Sequence, residues 1–147
     1  MATKNSNAIN RFRSGLNCSQ AVLTAFSDDL NIGEDLALCI SSGFGSGMGR
    51  LQETCGAVTG AFMVLGIHNG KKYQENKDRK EFTYAMIQNF SKKFKLINGS
   101  TCCRSLLNCD LNTEEGQKFA VENNLFEKLC EKYVSDSIKL TNELITD

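Results

Sequence analysis

The sequence contains no proline, no tryptophan and only one histidine, and these absences narrow the chemistry open to it. A Ser-His-Asp or Cys-His hydrolytic site would have to use His68, which follows an apolar segment in a His-Asn-Gly turn. We expect His68 to be solvated or to cap a helix there. No Cys-x-x-Cys pair indicates a zinc ribbon or finger. The glycine-rich stretch 43–49 matches neither G-x-G-x-x-G nor a loop ending in G-K-[ST], so nucleotide binding is not expected.

Net charge and long apolar runs are also missing. The 17 Lys and Arg residues balance the 17 Asp and Glu residues, so no summed electric field favours nucleic acid or anionic lipid. The longest apolar stretch, 57–67, is much shorter than the roughly 20 residues that a membrane-spanning helix needs. The segment 1–10 is polar and does not resemble a signal peptide. We therefore expect a soluble cytoplasmic protein with no nucleic-acid partner and no membrane span.

Apolar side chains recur at helical spacing along the chain, and no segment alternates with a period of two. The clearest predicted helices are Asn76 to Asn98 and Phe126 to Ile145, and a buried helix is predicted from Cys55 to Gly66. A chain of 147 residues, 41% of them apolar, is the usual size of one domain. We predict a single all-α domain over residues 1–147, a bundle of about six or seven helices with a central glycine-rich loop and a buried helix.

The sequence contains seven cysteines, and these are its main candidates for reactive or metal-binding side chains. Because cytosolic reductants keep thiols reduced, the seven cysteines are not expected to form a disulfide framework. Three interpretations remain for them: core side chains, metal or cluster ligands, or redox thiols. Cys18, Cys55 and Cys103 fall in the first turn of a predicted helix, and Asn17 is placed to cap the helix of Cys18. Free backbone N–H groups and the helix dipole stabilise a thiolate at such positions, lowering its pKa from about 8.5.

Glycines lie on both sides of Cys55, which makes it the main candidate for a reactive thiol. Upstream, the stretch 43–49 can turn backbone amides inward as an anion-binding nest. Downstream, Gly56 and Gly60 form a GxxxG face on which another helix can approach closely and bring a second thiol to Cys55. Tight packing without any chemistry is the simpler interpretation of that face. The glycines predicted to contact an anionic group or cofactor are Gly45, Gly47, Gly49 and Gly56.

With these cysteines, the chain resembles the redox-active protein family named for its C-GCAxxG-C-C cysteine pattern. The motifs that carry the resemblance are Asn17-Cys18-Ser-Gln-Ala-Val22, the Gly43 to Gly49 loop, Cys55-Gly-Ala-Val-Thr-Gly60, Cys103-Arg-Ser-Leu-Leu107 and Leu129-Cys-Glu-Lys-Tyr-Val134. The resemblance implies a redox role without a known substrate, and four signature cysteines that correspond to Cys18, Cys55, Cys103 and Cys130. Two features depart from the family pattern. The sequence around Cys55 is Cys-Gly-Ala, where the family name has Gly-Cys-Ala. For the third signature cysteine, Cys102 and Cys109 are alternatives to Cys103.

The leading hypothesis is a thiol-based or cluster-based redox protein with Cys55 as the central thiolate. Cys18, Cys103 and Cys130 would be its partner thiols, or its co-ligands for an iron–sulfur cluster or zinc. The alternatives are a non-redox zinc protein and a helical interaction module whose cysteines only pack. A redox role requires a partner protein or small molecule that the sequence does not identify. The sequence also leaves open whether the chain is an enzyme or an electron carrier, and whether it forms a homodimer.

Overall fold

The computed structural model describes residues 3–146, and it confirms the all-α prediction. Within that part of the chain there are eight helices and no strand, against the six or seven helices predicted. The helices are α1 (Lys4–Arg13), α2 (Cys18–Ala25), α3 (Glu34–Ser41), α4 (Gly56–Lys72), α5 (Asn76–Asn98), α6 (Cys103–Leu107), α7 (Glu114–Glu122) and α8 (Glu131–Ile145). A 3-10 turn (Ser42–Phe44) follows α3, and a π-helical turn (Phe126–Cys130) leads into α8.

Local capping explains where several helices begin. Asn17 caps α2 as predicted: its side chain accepts a hydrogen bond from the Gln20 N–H, and the Gln20 side chain accepts one from the Asn17 N–H. Thr113 caps α7 by accepting from the Gly116 N–H. At the other end, Gly99 takes a left-handed conformation (φ 88°) directly after α5, which ends at the predicted residue.

Helix α4 is the buried helix that the sequence predicts, and it packs against α2, α5 and α8. Its first two turns are wholly buried, from Gly56 to Ala61. The prediction that this helix ends near Gly66 is wrong, because α4 continues to Lys72. A glycine inside a helix costs only about 1 kcal/mol relative to alanine, and burial of Val64 and Leu65 on the same helix offsets that cost.

Two groups of buried apolar side chains stabilise the molecule. The larger group lies among α1, α2, α4, α5 and α8 and contains the fully buried Phe26, Phe90 and Phe94. The smaller group surrounds α6; its buried members are Cys103, Leu107, Leu111 and Ala120, with Cys109, Phe126, Leu129 and Cys130 packed against them. Leu129 packs against both groups, so the π-helical turn lies where they meet.

The glycine-rich loop forms a left-handed turn over residues 46–50. All five residues have positive φ, from 55° at Ser46 to 68° at Met48, and the Gly49 N–H donates to the Gly45 carbonyl at 3.0 Å. Left-handed backbone costs a non-glycine residue roughly 1–2 kcal/mol. Gly47 and Gly49 reduce that cost at two of the five positions, which explains why glycines recur in this stretch.

The longest described helix, α5, carries many charged side chains, and α4 is interrupted by polar ones. No helix within residues 3–146 is both long enough and apolar enough to cross a membrane.

Candidate functional site

Four cysteines from separate parts of the chain line one partly open cavity of about 150 Å³. They are Cys18, Cys55, Cys103 and Cys130. Most of the remaining wall is apolar and is made by Phe12, Leu106, Leu107, Leu111, Phe126 and Tyr133. Among the alternatives for the third cysteine, Cys102 and Cys109 do not line the cavity. The structure therefore brings together the four cysteines that the family resemblance selected.

Cys18 and Cys55 meet because α2 and α4 approach closely on the glycine face of α4. A Cβ atom added at Gly56 would lie 2.4 Å from the Cys18 Sγ, and one at Gly60 would lie 2.9 Å from the Ser19 carbonyl oxygen. Only glycine leaves room for α2 at these two positions. Cys18 is the first residue of α2 and Cys55 immediately precedes α4, so this crossing brings both thiols to the same cavity.

Backbone pairing holds α6 against the start of α4. The Cys55 N–H donates to the Thr101 carbonyl at 2.8 Å, and the Cys103 N–H donates to the Glu53 carbonyl at 2.6 Å. Thr54 and Cys102 form an isolated antiparallel bridge between these bonds. Since side chains alternate in direction along extended backbone, this pairing directs Cys103 into the cavity and Cys102 away from it.

The electrostatic environment favours a thiolate at Cys18. A hydrogen bond from the Cys55 thiol lowers the pKa of Cys18 to about 7, with further bonds from the backbone N–H groups of Ser46, Ser19 and Cys18 itself. Burial acts against this shift, but it is the weaker influence. The first amides of a helix have no partner within the helix, so Ser19 and Cys18 have N–H groups to donate. The left-handed conformation of Ser46 (φ 55°, ψ 42°) adds a third.

The pKa of Cys55 shifts in the opposite direction, which favours Cys18 over the predicted Cys55 as the thiolate of the pair. Donation of its hydrogen bond to Cys18, burial and the negative charge at Cys18 all raise the pKa of Cys55 well above its usual value. The reason is geometric: the amide of the glycine-rich loop faces Cys18 rather than Cys55. Ionisation of the pair is therefore favoured at Cys18, while Cys55 keeps its proton.

The other groups around the cavity are neutral at physiological pH. Burial raises the pKa of Cys103 to about 11, and burial and the neighbouring thiols raise that of Cys130 further. Burial also raises the pKa of Tyr133 to about 12, and the Tyr133 hydroxyl donates to the Leu106 carbonyl at 3.1 Å. Cys18 is thus the cavity thiol that ionises first.

Three of the four glycines predicted to contact a cofactor are needed for packing. A Cβ at Gly45 would lie 2.5 Å from the Asn17 side chain, and one at Gly47 would lie 2.5 Å from the Gln52 Cα; Gly56 meets Cys18 as described. A Cβ at Gly49 would make no close contact, so glycine is favoured there by its positive φ of 65° and not by packing. Contact of these glycines with a cofactor stays a prediction.

The four cysteines do not form a ready set of metal ligands. No group of three or more His, Cys, Asp or Glu side chains between residues 3 and 146 is placed to hold a metal ion. A tetrahedral zinc site needs four sulfurs about 2.3 Å from one point, and a cluster likewise needs its thiolates to converge. The cavity cysteines do not converge in this way, so we derive no step through a metal or cluster.

Gln52 is a site residue that the sequence analysis did not identify. Its side chain is 3% exposed and its φ is 56°. The side-chain oxygen accepts from the Leu111 N–H at 2.7 Å, and Nε2 donates to the Cys109 carbonyl at 2.9 Å. Gln52 therefore fastens the segment after α6 to the glycine-rich loop. Nothing in the local sequence distinguishes it from an exposed loop glutamine.

The comparison with known families agrees with this geometry. The family model described as "Putative redox-active protein (C_GCAxxG_C_C)" matches residues 16–144 of the 147-residue chain. The chain belongs to this family. No curated protein and no solved structure matches the chain, and the description of the C_GCAxxG_C_C family names redox activity without a substrate, partner or metal.

Proposed function

We propose that this C_GCAxxG_C_C protein is a dithiol redox protein in which Cys18 and Cys55 interconvert between two thiols and one disulfide. The observation that carries the proposal is the placement of Cys18 and Cys55 on one cavity at the crossing of α2 and α4, where a Cβ at Gly56, the residue after Cys55, would lie 2.4 Å from the Cys18 Sγ. The depressed pKa of Cys18 supports the same assignment. A thiolate is the attacking form in thiol–disulfide exchange, and a thiol with a pKa near the ambient pH is the best attacking group.

The electron acceptor we propose is a small disulfide. The Cys18 thiolate attacks one sulfur of that disulfide, forms a mixed disulfide, and releases the other half as a thiolate. The Cys55 sulfur then attacks the Cys18 Sγ, which forms the Cys18–Cys55 bond and releases the second half; the Cys55 proton passes to a leaving thiolate. The two protein thiols are oxidised and the small disulfide is reduced. A cavity of about 150 Å³ with mainly apolar walls suits a small uncharged molecule.

The test is a titration of the reduced protein, purified without oxygen, with the small uncharged disulfide bis(2-hydroxyethyl) disulfide. We expect reversible loss of two of the seven thiols, and peptide mapping should show Cys18 joined to Cys55. Cys18→Ser and Cys55→Ser should each prevent this loss. Cys39→Ser is the matched control because Cys39 is an exposed cysteine on α3, and it should behave as the wild type.

Two outcomes would contradict the proposal. One is a wild-type protein in which Cys18 and Cys55 stay reduced under these conditions. The other is stoichiometric iron with sulfide, or stoichiometric zinc, in the purified protein, with loss of the bound metal when Cys18 is replaced. That result would favour the ligand hypothesis for the same four cysteines and would require them to rearrange from the positions described above.

A further inference from the structure

The Cys18–Cys55 pair is closed to large molecules. The two residues are 9% and 6% exposed, and the cavity that they face, about 150 Å³, is too small to admit part of another protein. A protein reductant must bring its own sulfur into line with the disulfide that it attacks, so access decides the rate. If the pair is oxidised by a small molecule, a protein reductant needs another sulfur through which to return the electrons.

Cys103 connects the cavity to a thiol outside it. Its side chain lines the cavity together with Cys18 and Cys55, and it also belongs to the smaller apolar group, against which Cys109 packs. Helix α6 begins at Cys103 and ends before Asn108, whose left-handed conformation (φ 53°) reverses the chain. After such an ending, the second residue beyond the helix commonly contacts its first turn. Cys109 occupies that position and is partly exposed.

Gln52 fixes the two sulfur-bearing residues relative to each other. A single atom, its Nε2, lies 2.9 Å from the Cys109 carbonyl oxygen and 4.0 Å from the Cys103 Sγ. Its backbone carbonyl accepts from the Arg104 N–H at 3.1 Å. One buried side chain thus holds both ends of α6 in place, with Cys103 on the cavity side and Cys109 on the solvent side.

We propose that Cys103 and Cys109 form a relay that carries reducing equivalents from the protein surface to the buried Cys18–Cys55 disulfide. The inference rests on the proposed function of that pair and adds the thiol at which a dithiol protein would act. In the oxidised state the Cys103 sulfur attacks the Cys55 Sγ, which forms a Cys103–Cys55 bond and releases Cys18 as a thiolate. Cys18 is the better leaving group because its thiolate is the more stable one.

The second step completes the exchange. The Cys109 sulfur attacks the Cys103 Sγ, which forms a Cys103–Cys109 disulfide and releases Cys55. The proton lost by Cys103 in the first step passes to solvent, and the proton lost by Cys109 in the second step is taken up by the released Cys55. The Cys18–Cys55 pair is reduced and the Cys103–Cys109 pair is oxidised, so no external oxidant is consumed. A dithiol protein then reduces the Cys103–Cys109 disulfide at the surface.

The neighbouring cysteine Cys102 is the matched control. Like Cys109, it is partly exposed and does not line the cavity, but its Sγ donates to the Gln52 carbonyl at 3.3 Å and it is not among the side chains packed against the smaller apolar group. A relay that could use any accessible thiol near α6 would persist in both single variants, because Cys102 and Cys109 are each partly exposed. A relay through Cys109 would be lost only in Cys109→Ser.

The experiment measures reduction of the fully oxidised protein by reduced thioredoxin. Wild type, Cys102→Ser and Cys109→Ser are first oxidised with bis(2-hydroxyethyl) disulfide, and formation of the Cys18–Cys55 bond is verified by peptide mapping. We expect Cys109→Ser to be reduced at least tenfold more slowly than the wild type, and Cys102→Ser at the wild-type rate. Mapping of partly reduced wild-type protein should show the Cys103–Cys109 disulfide.

The outcomes separate the relay from the function it serves. If the Cys18–Cys55 bond forms in all three proteins and thioredoxin reduces them at equal rates, the relay is wrong and the dithiol function stands. A Cys103–Cys130 bond in place of Cys103–Cys109 would also overturn it. If the wild type never forms the Cys18–Cys55 bond, the proposed function itself fails. Equal helical content and urea midpoints in Cys109→Ser and the wild type exclude misfolding as the cause of a slower rate.

Discussion

Replacing Cys55 by alanine removes the thiol that donates a hydrogen bond to the Cys18 thiolate, and the expected change in the pKa of Cys18 can be calculated. This bond is the largest of the influences that lower the pKa of Cys18 to about 7. A hydrogen bond to a charged group contributes about 1.5–3 kcal/mol, and one pKa unit corresponds to about 1.4 kcal/mol. We therefore expect the pKa of Cys18 to rise by about one to two units in Cys55→Ala.

The consequence at neutral pH is a large loss of nucleophile. With a pKa near 7, about half of the Cys18 side chains are ionised at pH 7, and the substitution should reduce that share to about a tenth or less. Cys55→Ser is the matched variant, because a hydroxyl still donates a hydrogen bond while neither variant can form the disulfide. Its Cys18 pKa should stay close to that of the wild type.

The assay follows thiolate absorbance in the ultraviolet, or the rate of alkylation of Cys18, as a function of pH. The same titration of Cys18→Ser supplies the background from the other cysteines. If Cys55→Ala and Cys55→Ser give the same Cys18 midpoint as the wild type, the Cys55 thiol does not stabilise the thiolate. The backbone N–H groups of Ser46 and Ser19 would then have to account for the whole effect.

Three further predictions concern stability. Gly56→Ala should destabilise the protein by about 1–3 kcal/mol in urea unfolding, because the added Cβ would lie 2.4 Å from the Cys18 Sγ. Gly66→Ala on the same helix is the control: its Cβ would meet nothing within 4 Å, so it should stabilise the protein by about 0.5–1 kcal/mol. Equal effects of the two substitutions would show that the α2–α4 contact is loose. Because the folded pKa of Cys18 is depressed, its contribution to stability is present above the unfolded pKa and lost as pH falls through about 7. The buried thiols with a raised pKa, Cys55, Cys103 and Cys130, act in the opposite direction at alkaline pH, so the quantity to measure is the stability of the reduced protein minus that of Cys18→Ser. This difference should rise by about 2 kcal/mol between about pH 7 and 9, and a difference that does not change with pH would contradict the prediction. Gln52→Leu should lower the free energy of unfolding by about 2 kcal/mol or more, since it leaves the Leu111 N–H and the Cys109 carbonyl without partners. The same substitution should speed alkylation of Cys103. An unchanged urea midpoint would show that Gln52 does not hold these segments together.

The sequence was sufficient for features that depend on neighbouring residues. The cap at Asn17, the bounds of α5 and the placement of Cys18 and Cys103 at helix starts all follow from interactions within a few positions of each other. Helix ends and periodic apolar faces depend on residues close together in the sequence, so the all-α architecture was predictable. The family pattern added Cys130, which helical periodicity alone would assign to the core.

Contacts between distant segments decided the chemistry. Whether the loop amide of Ser46 faces Cys18 or Cys55 depends on how a left-handed turn packs beneath α2, some 28 positions earlier in the chain. Which of two adjacent cysteines enters the cavity depends on the backbone pairing of Thr54 with Cys102. A pKa is set by the few atoms around a thiol, and here those atoms come from separate segments of the chain. The sequence by itself determined the helices and the candidate thiols, and only the tertiary structure decided which thiol carries the charge.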